Sequence, residues 1–163
     1  KYISGGSSVS LTIMQKEGIP KGINHLRIGG AIANPRNIRI NRSVVINGMK
    51  EDTFTLKAEL IEVNVKPSCP FGQSSLNWTG NKVEFDDTGL RKRAIAAIGS
   101  QDIGDALKLS PCEEGIIILG CSSDHTILDI EDSLRQWKVG DIVSFNLSYA
   151  PLMYIFCTRH VNV

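Results

Sequence analysis

The sequence predicts a mainly β protein in two parts: a short α/β segment over residues 1–42 and a β domain over residues 43–163. Two observations favour this division. Residues 1–33 follow the order strand, helix, strand, which is typical of a parallel α/β layer. From about residue 43 onward, short strand-like stretches recur about every ten residues, and that spacing indicates a β-barrel or β-sandwich.

The α/β segment is predicted to begin with a strand and to continue into a helix that a serine caps. Ser7 or Ser8 is placed to accept a hydrogen bond from the first turn of that helix. Gly18 and Pro20 end the helix. The predicted elements in order are a strand over residues 1–4, a helix over 8–17, a strand over 23–28 and a helical or looping start over 29–33.

The β domain opens with its clearest strand, because residues 54–65 alternate apolar and polar side chains with a period of two. Pro67 and Pro70 end this strand, and residues 71–82 have the composition of a loop. Further strands are predicted over residues 93–98, 115–120, 126–130 and 139–149, and single helical turns over 102–107 and 132–137.

Length, net charge and cysteine spacing limit the kinds of partner and the compartment that we expect for this protein. The 163 residues are enough for a sizeable core, and a net charge of +1 provides no bulk field for nucleic acid or an anionic membrane. We therefore expect neither of these partners. The four cysteines lack the CxxC spacing of metal fingers, so we expect reduced thiols and a cytoplasmic protein. Because Lys1 shows no signal-peptide pattern and stands in a predicted strand, we expect the chain to be part of a longer protein.

Two glycine-rich corners are the strongest functional signal. The first is Ser4–Ser8, Ser-Gly-Gly-Ser-Ser, and the second is Arg27–Gly30, Arg-Ile-Gly-Gly. Glycines allow close approach of the backbone to a ligand, and free N–H groups beside a helix start favour an anion. The hypothesis is that both corners hold one phosphate group. The alternative is two ordinary loops, because short glycine motifs often occur without a ligand.

Five stretches in order resemble one protein family: residues 4–11, 22–29, 53–63, 92–102 and 120–129. The chain is similar to the C-terminal part of the ornithine-racemase-like branch of the alanine racemase superfamily. The resemblance implies a TIM barrel carrying pyridoxal phosphate, followed by a C-terminal β domain. Residues 1–42 would be the last elements of that barrel. It also implies a homodimer in which each β domain helps to complete the active site of the other subunit.

The resemblance implies a cofactor site formed by six residues: Ser7, Ser8, Arg27, Gly29, Gly30 and Tyr149. Ser8 resembles the phosphate-binding serine, and the two glycines resemble the backbone donors to the same phosphate. Arg27 resembles an arginine that faces the pyridine nitrogen; its permanent charge keeps that nitrogen unprotonated and favours racemisation over side reactions. Tyr149 resembles a tyrosine that reaches the phosphate, although a tyrosine at a strand end with its hydroxyl in water is an equal alternative.

The catalytic groups are harder to assign. In the family, the lysine that holds the cofactor lies on the first barrel strand, which this chain lacks, so we do not expect it to act alone. The second proton carrier of alanine racemases is a tyrosine, and the matching position here is Ser100, a poor base. Asp124 and His125 are the best substitutes, because a histidine titrates near neutral pH. Residues 122–125 could instead be a polar turn, and Asp102 is a third option.

The sequence leaves alternatives open. The main hypothesis is a racemase of free amino acids, with alanine or a basic amino acid such as ornithine as the candidate substrate. A D-amino-acid aldolase or lyase is the first alternative, with His125 and either Asp129 or Cys121 as metal ligands. A single histidine is weak evidence for a transition-metal site, so no metal is expected. The second alternative is a β-barrel interaction module without a cofactor.

Overall fold

A computed structural model of the protein describes residues 1–72 and 86–162. Residues 73–82 of the predicted loop lie outside this range. The helices are α1 (Leu11–Glu17), α2 (Gly30–Ala33), α3 (Arg36–Arg42), α4 (Ser100–Ile103) and α5 (Tyr149–Ile155). The strands are β1 (Thr55–Pro67), β2 (Leu90–Ala96), β3 (Leu109–Pro111), β4 (Ile117–Cys121), β5 (Thr126–Asp129) and β6 (Ile142–Leu147). None of the helices in the described ranges is long and apolar enough to cross a membrane.

The α/β segment places its two predicted strands side by side. Ser4 and His25 form a parallel bridge, and the N–H of Gly5 donates to the carbonyl of His25 at 3.0 Å. The pairing is one bridge rather than a full ladder. Between these stretches, a 3₁₀ turn over Ser8–Ser10 leads into α1, so the helix predicted over residues 8–17 is confirmed.

Helices α2 and α3 follow the second glycine corner. Only the start of α2 was indicated by the sequence; α3 was missed because Arg36–Arg42 consists mostly of arginine and asparagine. One apolar side of α3 is nevertheless buried. Ile38 packs with Ala31 and Ile46 in a small core separate from the core of the barrel, and Ile46 lies beyond the boundary predicted at residue 42.

The β domain is a six-stranded antiparallel sheet in the described residues, with the order β3-β6-β1-β2-β5-β4. The sheet forms a nearly closed barrel, which confirms the predicted mainly β fold. The first part of β1 pairs with β6 and its second part with β2, with a register shift between Leu60 and Glu62. A shift of this kind bends the strand and helps the sheet to curl.

The core of the barrel follows from the alternation seen in the sequence. Leu56, Ala58 and Leu60 of β1 point inward, and the residues between them face outward. Opposite them, Val143 and Phe145 of β6 are fully buried. The predicted two-residue period is therefore confirmed over residues 55–60, whereas it does not continue to Val65, which is exposed.

Two sequence predictions need correction. Residues 132–137 do not form a helical turn: the Trp137 indole N–H instead donates to the Ser133 hydroxyl at 2.9 Å, which holds an irregular loop. The strand predicted over residues 139–149 ends at Leu147, because Tyr149 begins α5. Helix α5 was not predicted, although its Pro151 suits the first turn of a helix, where a missing N–H costs little.

An ion-pair network joins β2 to β5 and to the loop after it. The guanidinium of Arg91 contacts both carboxylate oxygens of Asp129, at 2.9 and 3.0 Å, and Asp132 at 2.6 Å. Burial alone would raise the pKa of Asp129. The hydrogen bonds from Arg91 and from the N–H of Glu131 outweigh burial and hold that pKa below its usual range.

We predict that Asp129→Asn lowers the urea midpoint of unfolding at neutral pH more than Asp132→Asn does. The Asp129 side chain is 7% exposed and that of Asp132 is 60% exposed, so water screens the second pair more strongly. A carboxyl with a lowered pKa stabilises the fold above the unfolded value of about 4, and loses this effect as the pH falls through the folded value. The gap between the parent and Asp129→Asn should therefore shrink in acid. Equal midpoints for the two variants at neutral pH would contradict the assignment.

Candidate functional site

The structure brings four of the six predicted cofactor residues around one cavity of about 300 Å³. They are Ser7, Ser8, Gly30 and Tyr149. We refer to this space as the Ser8 cavity. Its walls come from the first glycine corner, the start of α2 and the start of α5. It therefore lies where the α/β segment meets the β domain.

Ser8 is fixed by a bond that leaves its proton available. The N–H of Ala31 donates to the Ser8 Oγ at 3.0 Å and thereby satisfies one of the free donors in the first turn of α2. A hydroxyl that accepts one bond can still donate another. Ser8 can thus donate to an anion in the cavity.

Gly30 keeps the Ser8 cavity open. A Cβ atom at this position would lie 3.4 Å from the Tyr149 ring and 3.7 Å from the Ser8 Oγ, so the two side chains converge on the Gly30 backbone. No acceptor for the Gly30 N–H is found in the described ranges of the chain. The Gly30 backbone, the Ser8 hydroxyl and the Tyr149 ring therefore border one space. A free N–H and hydroxyls are groups that suit a phosphate.

Arg27 and Gly29 do not line the Ser8 cavity. Arg27 is exposed, and its N–H donates to the carbonyl of Gly6 at 3.3 Å. Gly29 precedes α2, and its carbonyl accepts hydrogen bonds from Ile32 and Ala33. The two glycine corners are hydrogen-bonded to each other, but these two residues stand beside the cavity rather than in it.

Tyr149 is the first residue of α5 and not the end of a strand, as one alternative had it. Its side chain is 42% exposed and forms part of the wall of the Ser8 cavity. The exposed fraction is consistent with a hydroxyl that reaches solvent. The contact with the Gly30 position shows that the ring also faces the glycine corner.

Two lining residues of the Ser8 cavity, Asn34 and Asn37, were missed by sequence reasoning. Asn34 is 4% exposed, and its side chain donates to the carbonyl of Leu147 at 2.8 Å. The Asn34-Pro35 pair marks a turn, which is the only local signal it gives. A turn signal does not reveal that the amide is buried against a strand more than a hundred residues away.

A second cluster lies at another part of the β domain, where Gly99 meets residues 122–125, the Ser122–His125 loop. The N–H groups of Ser100 and Gln101 donate to the carbonyls of Ser122 and Ser123, at 2.9 and 3.1 Å. This contact brings Ser100 beside the loop that carries Asp124 and His125. Both of these side chains are exposed, and neither lines the Ser8 cavity.

The other candidates are engaged in structural contacts. The hydroxyl of Thr158 donates to the buried Asp102 carboxylate at 2.6 Å, which joins α4 to the end of the chain. Asp129 is held by Arg91. In the described residues, no group of three or more histidine, cysteine, aspartate or glutamate side chains is placed to hold a metal ion.

Comparison with known proteins places the chain beside amino-acid racemases. No protein-family model matches it. It is 40% identical over 160 residues to an ornithine racemase of Acetoanaerobium sticklandii, covering 98% of this chain and 44% of that protein. It is 46% identical over 153 residues to a lysine racemase of Thermotoga maritima, covering 94% and 42%. The chain thus spans less than half the length of these curated relatives.

Solved structures show the same fold at low sequence identity. An alanine racemase from Acinetobacter baumannii matches with a TM-score of 0.55 and 17% identity, over 91% of this chain and 39% of that one. A D-threonine aldolase from Filomicrobium marinum matches with a TM-score of 0.55 and 14% identity, over 94% and 34%. The fold is therefore shared by enzymes with different reactions.

We predict that Gly99→Ala destabilises the protein, because a Cβ atom there would collide with the backbone of Ser123 and Asp124. Overpacking against backbone costs about 1–3 kcal/mol. The neighbouring Ser100→Ala serves as the control and should change stability by less than about 0.5 kcal/mol. Urea unfolding measures both variants. An unchanged midpoint for Gly99→Ala would show that the Ser122–His125 loop does not pack on Gly99 as described.

Proposed function

We propose that the chain is the C-terminal part of a pyridoxal-phosphate-dependent amino-acid racemase of the alanine racemase superfamily. Such an enzyme is an isomerase that interconverts L- and D-amino acids. The observation that carries the proposal is the similarity of nearly the whole chain to an ornithine racemase and a lysine racemase. The convergence of Ser8, Gly30 and Tyr149 on one cavity supports it independently.

The residues of the Ser8 cavity suit the phosphate of pyridoxal phosphate. Ser7, Ser8 and Tyr149 offer hydroxyls, and Gly30 offers a backbone N–H with room for close approach. When bound, the cofactor withdraws electrons from the α-carbon of the amino acid and so makes its proton labile. In this proposal the chain contributes the anchor that holds the phosphate.

Arg27 and Gly29 are proposed to act beside that anchor. The side chain of Arg27 is exposed. Its backbone N–H donates to the carbonyl of Gly6, so the first glycine corner fixes the position of the Arg27 backbone. A guanidinium stays charged at any working pH, and next to the pyridine nitrogen it would disfavour protonation there. Gly29 is proposed to provide a second backbone donor.

Asp124 and His125 are proposed to provide the second proton carrier of the racemase. Racemisation needs a base on each face of the α-carbon, and an imidazole can take up or release a proton near neutral pH. Since neither residue lines the Ser8 cavity of its own chain, we propose that they serve the other subunit of a homodimer. Ser100, which lies beside the Ser122–His125 loop, stands at the position where alanine racemases have a tyrosine.

The rest of the parent protein is also part of the proposal. Residues 1–42 would be the last elements of a TIM barrel, and residues 43–163 the β domain. The parallel bridge between Ser4 and His25 and the helix between them suit such a barrel. The substrate would be a free amino acid such as ornithine, lysine or alanine. Four free cysteines accord with a cytoplasmic enzyme.

In the full polypeptide, we predict that Ser8→Ala weakens pyridoxal phosphate binding by about 10- to 100-fold, the loss expected for one hydrogen bond to a charged group. The matched control is Ser4→Ala, in the same glycine corner but outside the Ser8 cavity. Absorbance titration measures both affinities. If Ser8→Ala binds as tightly as the parent, the phosphate is held elsewhere. A parent polypeptide that does not bind the cofactor would leave the interaction-module alternative.

In deuterium oxide, the full polypeptide should exchange the α-proton of both enantiomers of its substrate without cleaving the carbon chain. We predict that His125→Gln abolishes racemisation yet keeps exchange on one enantiomer, because the base on the other face remains. Asp124→Asn should lower the same exchange more weakly. His160→Gln, a change of an exposed histidine near the end of the chain, is the control. NMR follows the α-proton of each enantiomer.

Two results would contradict these assignments. Equal exchange of both enantiomers by His125→Gln would remove His125 from the reaction. Metal-dependent cleavage of a β-hydroxy amino acid, without racemisation, would favour the aldolase alternative.

A further inference from the structure

Asn34 connects the glycine side of the Ser8 cavity to the end of β6. Its N–H donates to the carbonyl of Gly30 at 2.8 Å, and its side-chain nitrogen donates to the carbonyl of Leu147 at 2.8 Å. Because Asn34 is 4% exposed, losing either partner would leave a buried polar group unpaired. The amide thus fixes the distance between Gly30 and the strand that leads into Tyr149.

Asn37 continues the connection to Tyr149 itself. Its N–H donates to the side-chain oxygen of Asn34 at 3.3 Å, and its own side-chain oxygen accepts from the N–H of Tyr149 at 3.3 Å. The first N–H groups of a helix have no acceptor within the helix. Ser148, the cap position of α5, makes no side-chain hydrogen bond to them. Asn37 therefore caps α5 from a different part of the chain.

We propose that Asn34 and Asn37 are positioning residues, which hold the Tyr149 side chain at the phosphate of the cofactor. The inference rests on the proposed function. Tyr149 is 42% exposed at the start of a short helix whose Leu152 and Ile155 are buried in the core. Its N–H bonds to Asn37, 112 residues away in sequence, and this contact orients the start of the helix. The two asparagines link it to Gly30, the backbone donor of the same site.

Because the two asparagines are proposed to act by positioning Tyr149, an experiment can distinguish this effect from a general loss of protein stability. Asn34→Ala could unfold the protein, because the residue is buried. Asn37 is half-buried, so Asn37→Ala is the variant to use. Asn41→Ala is the matched control, since Asn41 lies one turn further along α3 and is exposed.

The test measures the affinity of the full polypeptide for pyridoxal phosphate and for pyridoxal, which lacks the phosphate. Asn37→Ala should bind pyridoxal phosphate about five- to tenfold more weakly, the loss of roughly one hydrogen bond. It should bind pyridoxal within about twofold of the parent. Asn41→Ala should match the parent for both ligands. Equal losses for both ligands, or no loss for either, would overturn the inference.

A double-mutant cycle then tests the route through Tyr149. In a Tyr149→Phe background, the further change Asn37→Ala should alter pyridoxal phosphate affinity by less than about twofold, because the two residues act as one unit. The same loss in both backgrounds would overturn the inference and leave the proposed function intact. If the unsubstituted polypeptide binds neither ligand, the proposed function fails and the inference fails with it.

Discussion

The hydrogen bond from the buried side chain of Asn34, which lines the Ser8 cavity, to the carbonyl of Leu147 joins the start of the chain to the end of β6. The barrel has one hydrophobic core, and a second, smaller core contains Ala31, Ile38 and Ile46. Ala31 and Ile38 of the smaller core also line the Ser8 cavity. A buried amide needs its partners, so the joint tolerates little sliding of one part over the other. The relative positions of Gly30 and Tyr149, and with them the proposed phosphate site, depend on this contact.

The candidate residues lie at two separate places in the structure, and each place suits a different role. Near the joint, hydroxyls and a backbone donor surround a small cavity. Where Gly99 packs tightly against the backbone of the Ser122–His125 loop, the side chains of Asp124 and His125 are exposed to solvent. A group that binds an anion needs an enclosed position, whereas a group offered to another subunit needs an exposed one. The proposed homodimer accounts for both positions with one chain.

The sequence predicted the fold where local pattern determines structure. The alternation in β1 identified a half-buried strand, and Gly18 and Pro20 marked the end of α1.

Sequence reasoning failed where distant contacts decide the outcome. Helix α3 is mostly polar, yet Ile38 is buried in a core that residue 46 completes. Helix α5 depends on Asn37, more than a hundred residues away, to accept from its first N–H. Of the proposed cofactor residues, Ser7, Ser8, Gly30 and Tyr149 share a cavity, but no sequence pattern showed that Asn34 and Asn37 join them.

A crystal structure of the full polypeptide grown with pyridoxal phosphate tests the central claim most directly. We expect phosphate oxygens within about 3 Å of the Ser8 hydroxyl, the Tyr149 hydroxyl and the Gly30 nitrogen, the ordinary range of a hydrogen bond. A cofactor whose phosphate lies outside the Ser8 cavity, with Ser8 and Tyr149 contacting only protein or water, would contradict it.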